Sequence, residues 1–149
     1  MKITKKEIAS RIGLARAIVK ILDEKQARRI KLLQVEKQTS LTNYFVICEG
    51  RSTPHVTSLA DEVDVKLSEL GCAPLHSEGY DTANWIVLDF ASVIVHIFDR
   101  NTREFYNLEN LWRDGTEIDI KELLTPDGDM SSDTANFTED EEIFEGSEE

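Results

Sequence analysis

Apolar and polar positions alternate with period two in two neighbouring stretches of the chain, Trp85–Phe90 (WIVLDF) and Val93–Phe98 (VIVHIF). Such alternation predicts β-strands, and the two-residue link Ala91-Ser92 predicts that they pair as an antiparallel hairpin. In the first strand Ile86, Leu88 and Phe90 form a uniformly apolar face. The other face carries Trp85, Val87 and Asp89, an indole and a carboxylate on a surface that packing alone does not explain. Ala27–Val35 and Ala73–Glu78 predict two further strands. Tyr44–Glu49 (YFVICE) is apolar on both faces, which predicts a central strand.

Helical spacing appears in two places. Ile8, Ile12, Ala15, Val19 and Leu22 form one stripe behind Thr4-Lys5-Lys6-Glu7, a capping-box pattern, and predict one helix over residues 4–23. Its other face is basic, with Lys5, Arg16 and Lys20. Val56, Leu59, Ala60, Val63, Leu67 and Leu70 form a second stripe, started by Ser52 or Thr53 with Pro54 and stopped by Gly71. Arg100–Tyr106 and Leu108–Trp112 read as a turn and a short helical segment, and Ile118–Leu124 as at most a loose turn. The expected fold is therefore α/β or α+β, a five-stranded mixed sheet flanked by helices. The expected organisation is one domain over residues 1–115, including the first helix, followed by an acidic, disordered tail over 116–149.

Charge sharpens this division. The chain of 149 residues carries net −12, yet residues 126–149 hold 10 acidic and no basic side chains. Residues 1–31 hold 10 basic and 3 acidic ones, so residues 32–125 hold 7 against 16. A sheet region this acidic suits docking on a basic protein better than wrapping nucleic acid, which needs clustered Lys and Arg. Cys48 and Cys72, in apolar contexts without CxxC spacing, read as reduced buried thiols of a cytoplasmic protein. No apolar run has the length of a membrane span, so no membrane partner is expected.

Candidate chemistry is sparse. His55, His76 and His96 lack metal-ligand spacing, and His96 shares a strand face with Ile94 and Phe98, as a core histidine would. The strand–Gly50–helix unit has neither GxGxxG nor GK[ST], so a turn and a helix cap account for it. Glu78, Asp81 and Asp89 could converge to hold metal ions for nucleotidyl transfer, but only Arg51, Arg100 and Arg103 are near to meet a triphosphate. An enzyme acting on a nucleotide stays the alternative to a non-enzymatic binding protein without cofactor. The stronger signal is a run of aromatic and Arg side chains: Trp85, Arg103, Phe105, Tyr106, Leu108, Leu111 and Trp112. Such residues dominate interface hot spots. About half of them should simply cover the sheet, leaving Trp85, Arg103 and Tyr106 as the surface candidates.

Taken in order, LTNYFVICEG, HVTSLADEV, SEGYDTANWIVLDF, VIVHIF and REFYNLENLW resemble the RsfS/Iojap family of ribosomal silencing factors, over roughly Leu14–Gly115. The resemblance implies a nucleotidyltransferase-like sheet without the catalytic site, and hence no enzyme. It implies binding to the large ribosomal subunit through a basic ribosomal protein at the intersubunit face, with contact to ribosomal RNA at most minor. Subunit joining would then be blocked sterically and translation repressed when nutrients are scarce; in organellar relatives the contact serves ribosome assembly. Residues matching the family's docking surface are Glu78, Tyr80, Trp85, Asp89, Glu104 and Tyr106, beside the Arg103 singled out above. Pairing into a homodimer is left open.

Overall fold

The computed structural model describes residues 2–125. A 3-10 turn at Glu7–Ala9 leads into α1 (Arg11–Glu24), followed by β1 (Arg28–Gln34), β2 (Tyr44–Gly50) and α2 (Thr53–Glu69). Then come β3 (His76–Glu78), β4 (Trp85–Asp89), β5 (Val93–Asp99), α3 (Arg100–Tyr106), α4 (Leu108–Leu111), β6 (Thr116–Ile118) and a last 3-10 turn at Lys121–Leu123. The sheet has six strands in the order β3-β4-β5-β2-β1-β6. Only β2 and β5 run parallel; every other pairing is antiparallel.

The sixth strand corrects the five-stranded expectation. Thr116–Ile118 pairs with Leu32–Gln34, beyond the boundary drawn at residue 115. Three residues are too few to show a period, and Ile118 is their single apolar side chain, so pairing with the β1 edge and not hydrophobic pattern makes this strand. Of the tail expected over 116–149, residues 116–125 contain β6 and the last 3-10 turn, and residues 126–149 lie outside the described residues.

The first helix also differs from its expectation. Both reciprocal bonds of the capping box form, the Thr4 amide to the Glu7 carboxylate at 3.1 Å and the Glu7 amide to the Thr4 hydroxyl at 3.2 Å. They cap only the 3-10 turn. Ser10 then restarts the helix, its hydroxyl accepting from the Gly13 amide at 3.0 Å. The second helix is capped by Ser52, whose hydroxyl accepts from His55 N–H, and Gly71 follows it at φ +80°.

Helices α1 and α2 cover the same face of the sheet. Leu14, Ile18, Ile21, Leu22, Leu59, Val63 and Leu67 pack there against Leu32, Val46, Cys48, Ile86, Leu88, Val95 and Ile97. Burying each such side chain contributes roughly 1.5–3 kcal/mol, so this layer holds the fold. The central strand β2 is buried along its whole length. The opposite face carries a smaller cluster of Leu33, Val35, Phe45, Ile47, Phe98 and Leu108, with Trp85, Ile94 and Trp112 half-buried beside it. Among the described residues only the short α3 and α4 lie over that face, and they leave part of it uncovered.

Candidate functional site

The open face begins at the β3–β4 connection. Gly79 sits at φ +95°, and a Cβ there would run into the Trp85 carbonyl oxygen, so only glycine lets the chain pass this close. Its own carbonyl accepts from the Ala83 amide at 2.9 Å, closing the loop that delivers Trp85 to the start of β4. There the indole stacks on Phe98 of β5, with ring centroids 4.9 Å apart and planes at 25°. Its Nε1–H donates to Nδ1 of His96 at 3.1 Å.

His96 is buried, on the face with Ile94 and Phe98, as expected of a core histidine. Because Nδ1 accepts, the neutral ring carries its proton on Nε2, and that buried nitrogen has no hydrogen-bond partner among the described residues. Burial pushes its pKa down to about 4, which keeps the ring neutral. The Phe45 ring meets it edge-on at 4.9 Å.

Helix α3 brings the second half of the site. Asp99 caps it by accepting from the Thr102 amide at 2.8 Å, and Asn107, at φ 47° and ψ 55°, separates it from α4. Tyr106 lies against Trp85 with ring centroids 4.9 Å apart, and Phe105 meets Tyr106 edge-on at 5.0 Å. Phe98, Trp85, Tyr106 and Phe105 thus form a continuous aromatic chain from core to solvent, where Tyr106 is 53% and Phe105 80% exposed. Of the other lid candidates, Leu108 is buried and Trp112 packs edge-on against Phe45, whereas Leu111 is exposed.

Arg103 does not belong to the surface. It is 1% exposed, with its Nη2 2.8 Å from Glu109 and its Nη1 3.3 Å from Glu49. It points inward because two carboxylates await it there, Glu49 at the end of β2 and Glu109 in α4. Burial alone would raise the Glu109 pKa, but the bond to Arg103 and its charge outweigh that, and the carboxyl sits below its ordinary value. Glu49 also meets Arg29 at 3.5 Å, Arg29 reaches Glu104 at 3.7 Å, and Glu104 pairs with Arg100 at 3.3 Å. Arg103 is therefore the bolt that fixes α3 and α4 to the sheet. Glu49, a lone charge ending an apolar strand, was the available sequence signal for this pair.

The remaining candidates lie apart. Asp89 shares the face of Trp85 but stands four residues away, roughly 13 Å along the strand. Its Oδ1 accepts from the Ala91 amide at 2.8 Å, an amide of the β4–β5 turn where Ala91 has φ 71°. Glu78, on the edge strand beside it, pairs with His76 at 2.7 Å. Tyr80 packs against the helix-covered core on the other side of the sheet; burial and then the charges of Asp61 and Asp64 on α2 push its pKa up to about 12. So the structure joins Trp85 and Tyr106, buries Arg103 beneath them, pairs Glu104 with Arg29 and Arg100, and leaves Glu78, Asp89 and Tyr80 outside that cluster. Among the described residues, no group of three or more His, Cys, Asp or Glu side chains could hold a metal ion, and no helix is long and apolar enough to cross a membrane.

These features define the class: an α+β domain on a six-stranded mixed sheet, with its long helices on one face and a short helical lid on the other. The model of the family described as "Ribosomal silencing factor during starvation" matches residues 8–143, and the chain belongs to that family. It is 30% identical over 112 residues to the ribosomal silencing factor RsfS of Halalkalibacterium halodurans, covering 75% of this chain and 96% of the relative. It is 35% identical over 98 residues to a mouse protein named "Mitochondrial assembly of ribosomal large subunit protein 1", covering 64% of this chain and 43% of that one. A crystal structure of a Chromobacterium violaceum protein superposes with a TM-score of 0.68 at 28% identity, over 75% of this chain and 92% of the other.

Proposed function

We propose that this protein binds the large ribosomal subunit through a basic ribosomal protein at the intersubunit face, and that its bulk there keeps the small subunit from joining. Translation falls as a result, most usefully when nutrients are scarce. The work is done in the cytoplasm and needs no cofactor and no bond-breaking chemistry, because occupancy of a shared surface is sufficient.

The observation that carries this reading is the aromatic chain ending in Tyr106 and Phe105, flanked by Glu104, on a face that α1 and α2 leave uncovered. Exposed aromatic groups beside a carboxylate supply a partner with buried contact area and register, respectively. Trp85 acts from beneath, as the platform that holds Tyr106. Asp89 and Glu78 serve as a second, outlying acidic contact on the same face.

The test is a subunit-joining assay with purified small and large subunits. Added protein should lower the joined fraction and co-sediment with large subunits, and Glu104→Lys with Tyr106→Ala should lose both effects while still folding, as a cooperative thermal melt would show. An unchanged joined fraction at saturating protein would sink the proposal.

A further inference from the structure

One end of the sheet carries cations that its acidic groups do not neutralise. Lys25 follows α1, Arg28 opens β1 and Arg51 follows β2, and all three are exposed. They sit together: Arg51 Nη1 is 3.4 Å from Oε1 of Gln26, its amide donates to Nδ1 of His55 at 2.9 Å, and the His55 Nε2 lies 2.9 Å from the Lys25 carbonyl. Arg28 is the cross-strand partner of Glu49, next to Gly50. The local carboxylates are already taken, Glu49 by Arg103 and Arg29, and Glu104 by Arg29 and Arg100. Among the described residues no carboxylate lies in ion-pair distance of Lys25, Arg28 or Arg51.

The backbone that presents them is unusual. Gln26 (φ 66°) and Arg29 (φ 50°) are both left-handed without being glycine, and a register shift falls between Arg28 and Lys31. Strained backbone of this kind persists where the surroundings hold it, often at a binding surface. The patch also lies level with the aromatic chain: the row across the sheet runs Trp85, Phe98, Glu49, Arg28. The basic face of α1 is a weaker candidate for the same role, since Arg16 pairs with Glu122 at 2.6 Å and Lys20 with Glu7 at 3.2 Å. Lys5 and Lys6 stay exposed, but at the opposite end of α1.

Resting on the function proposed above, we infer that Lys25, Arg28 and Arg51 contact the phosphate backbone of ribosomal RNA beside the protein partner. Three exposed cations that have no counter-charge among the described residues suit a polyanion and not a basic protein, and a subunit surface presents phosphates next to its proteins. The contact is to backbone and carries no sequence readout.

The test measures binding of the full chain to purified large subunits across a salt series. In the Lys25→Gln, Arg28→Gln, Arg51→Gln variant the slope of log affinity against log salt should become shallower by about two to three, with the melting temperature unchanged. A photo-crosslinker on an Arg28→Cys, Cys72→Ser variant should attach to RNA, giving a product that ribonuclease digests. An unchanged slope overturns the inference while leaving the docking proposal standing, and label found only in protein assigns the patch to an acidic protein instead. Failure of the wild type to bind subunits at any salt sinks the underlying reading and the inference with it.

Discussion

The indole Nε1 of Trp85 donates to Nδ1 of His96 at 3.1 Å, so the residue at the root of the aromatic chain is oriented by a buried, neutral histidine. The bond exists only while His96 is unprotonated on Nδ1, which couples the platform to pH.

Stability should therefore fall with acid in a definite window. Folding lowers the His96 pKa from 6.5 to about 4, so between these values the unfolded chain holds a proton that the folded chain does not. The loss starts as pH drops through 6.5 and levels off below about 4, and reaches about 3 kcal/mol in all. Urea unfolding at pH 7 and pH 4.5 should show a clearly smaller difference in His96→Gln than in the wild type. Equal differences in the two proteins would count against this.

Arg103→Ala leaves the 3%-exposed Glu49 carboxylate with Arg29 alone and releases Glu109, and should cost about 3 kcal/mol. Adding Glu49→Gln should recover part of that loss in a double-mutant cycle. If the two effects simply add, the buried pair is not coupled as described.

Two glycines with positive φ should behave differently. Gly71 has open space around it, so Gly71→Ala should cost only about 1 kcal/mol for the left-handed backbone. Gly79→Ala must also displace the Trp85 carbonyl, and should cost at least twice as much and shift the tryptophan fluorescence. Thermal melts and emission spectra of both variants decide the matter.

The two cysteines should separate in a thiol titration. Burial pushes the Cys48 pKa up to about 12, and Cys72, only partly buried, is raised less far by the same cause. A chromogenic disulfide reagent should modify Cys72 in the native protein and Cys48 only after unfolding. Rapid native reaction of both would contradict the placement of Cys48 in the core.

The periodic parts of this chain were legible. Ile86, Leu88 and Phe90 are buried as their alternation predicts, YFVICE is an interior strand, and the Ala91-Ser92 link closes an antiparallel hairpin. What escaped was fixed by distant partners. Arg103 looked like an interface arginine because what draws it inward, the buried Glu49 at the end of β2, lies 54 residues away, although its other partner, Glu109, is only six away. Tyr80, adjacent in sequence to the Trp85 strand, packs on the other side of the sheet because the Gly79–Asn84 loop carries it toward α2. Cys72 was expected to be buried and is only partly so, lying just past the end of α2.

The short sixth strand has a consequence for how the chain must be handled. By pairing with Leu32–Gln34, Thr116–Ile118 occupies hydrogen-bonding groups that β1 would otherwise present to solvent. A chain cut at residue 115 would keep all four helices, α1 to α4, and five strands, yet expose a naked β-edge beside Leu33 and Val35. Such edges recruit other strands. Trimming this protein to its most recognisable part would thus exchange an ordered margin for a self-adhesive one, and clumping in a shortened protein would reflect that lost border and not a property of the intact molecule.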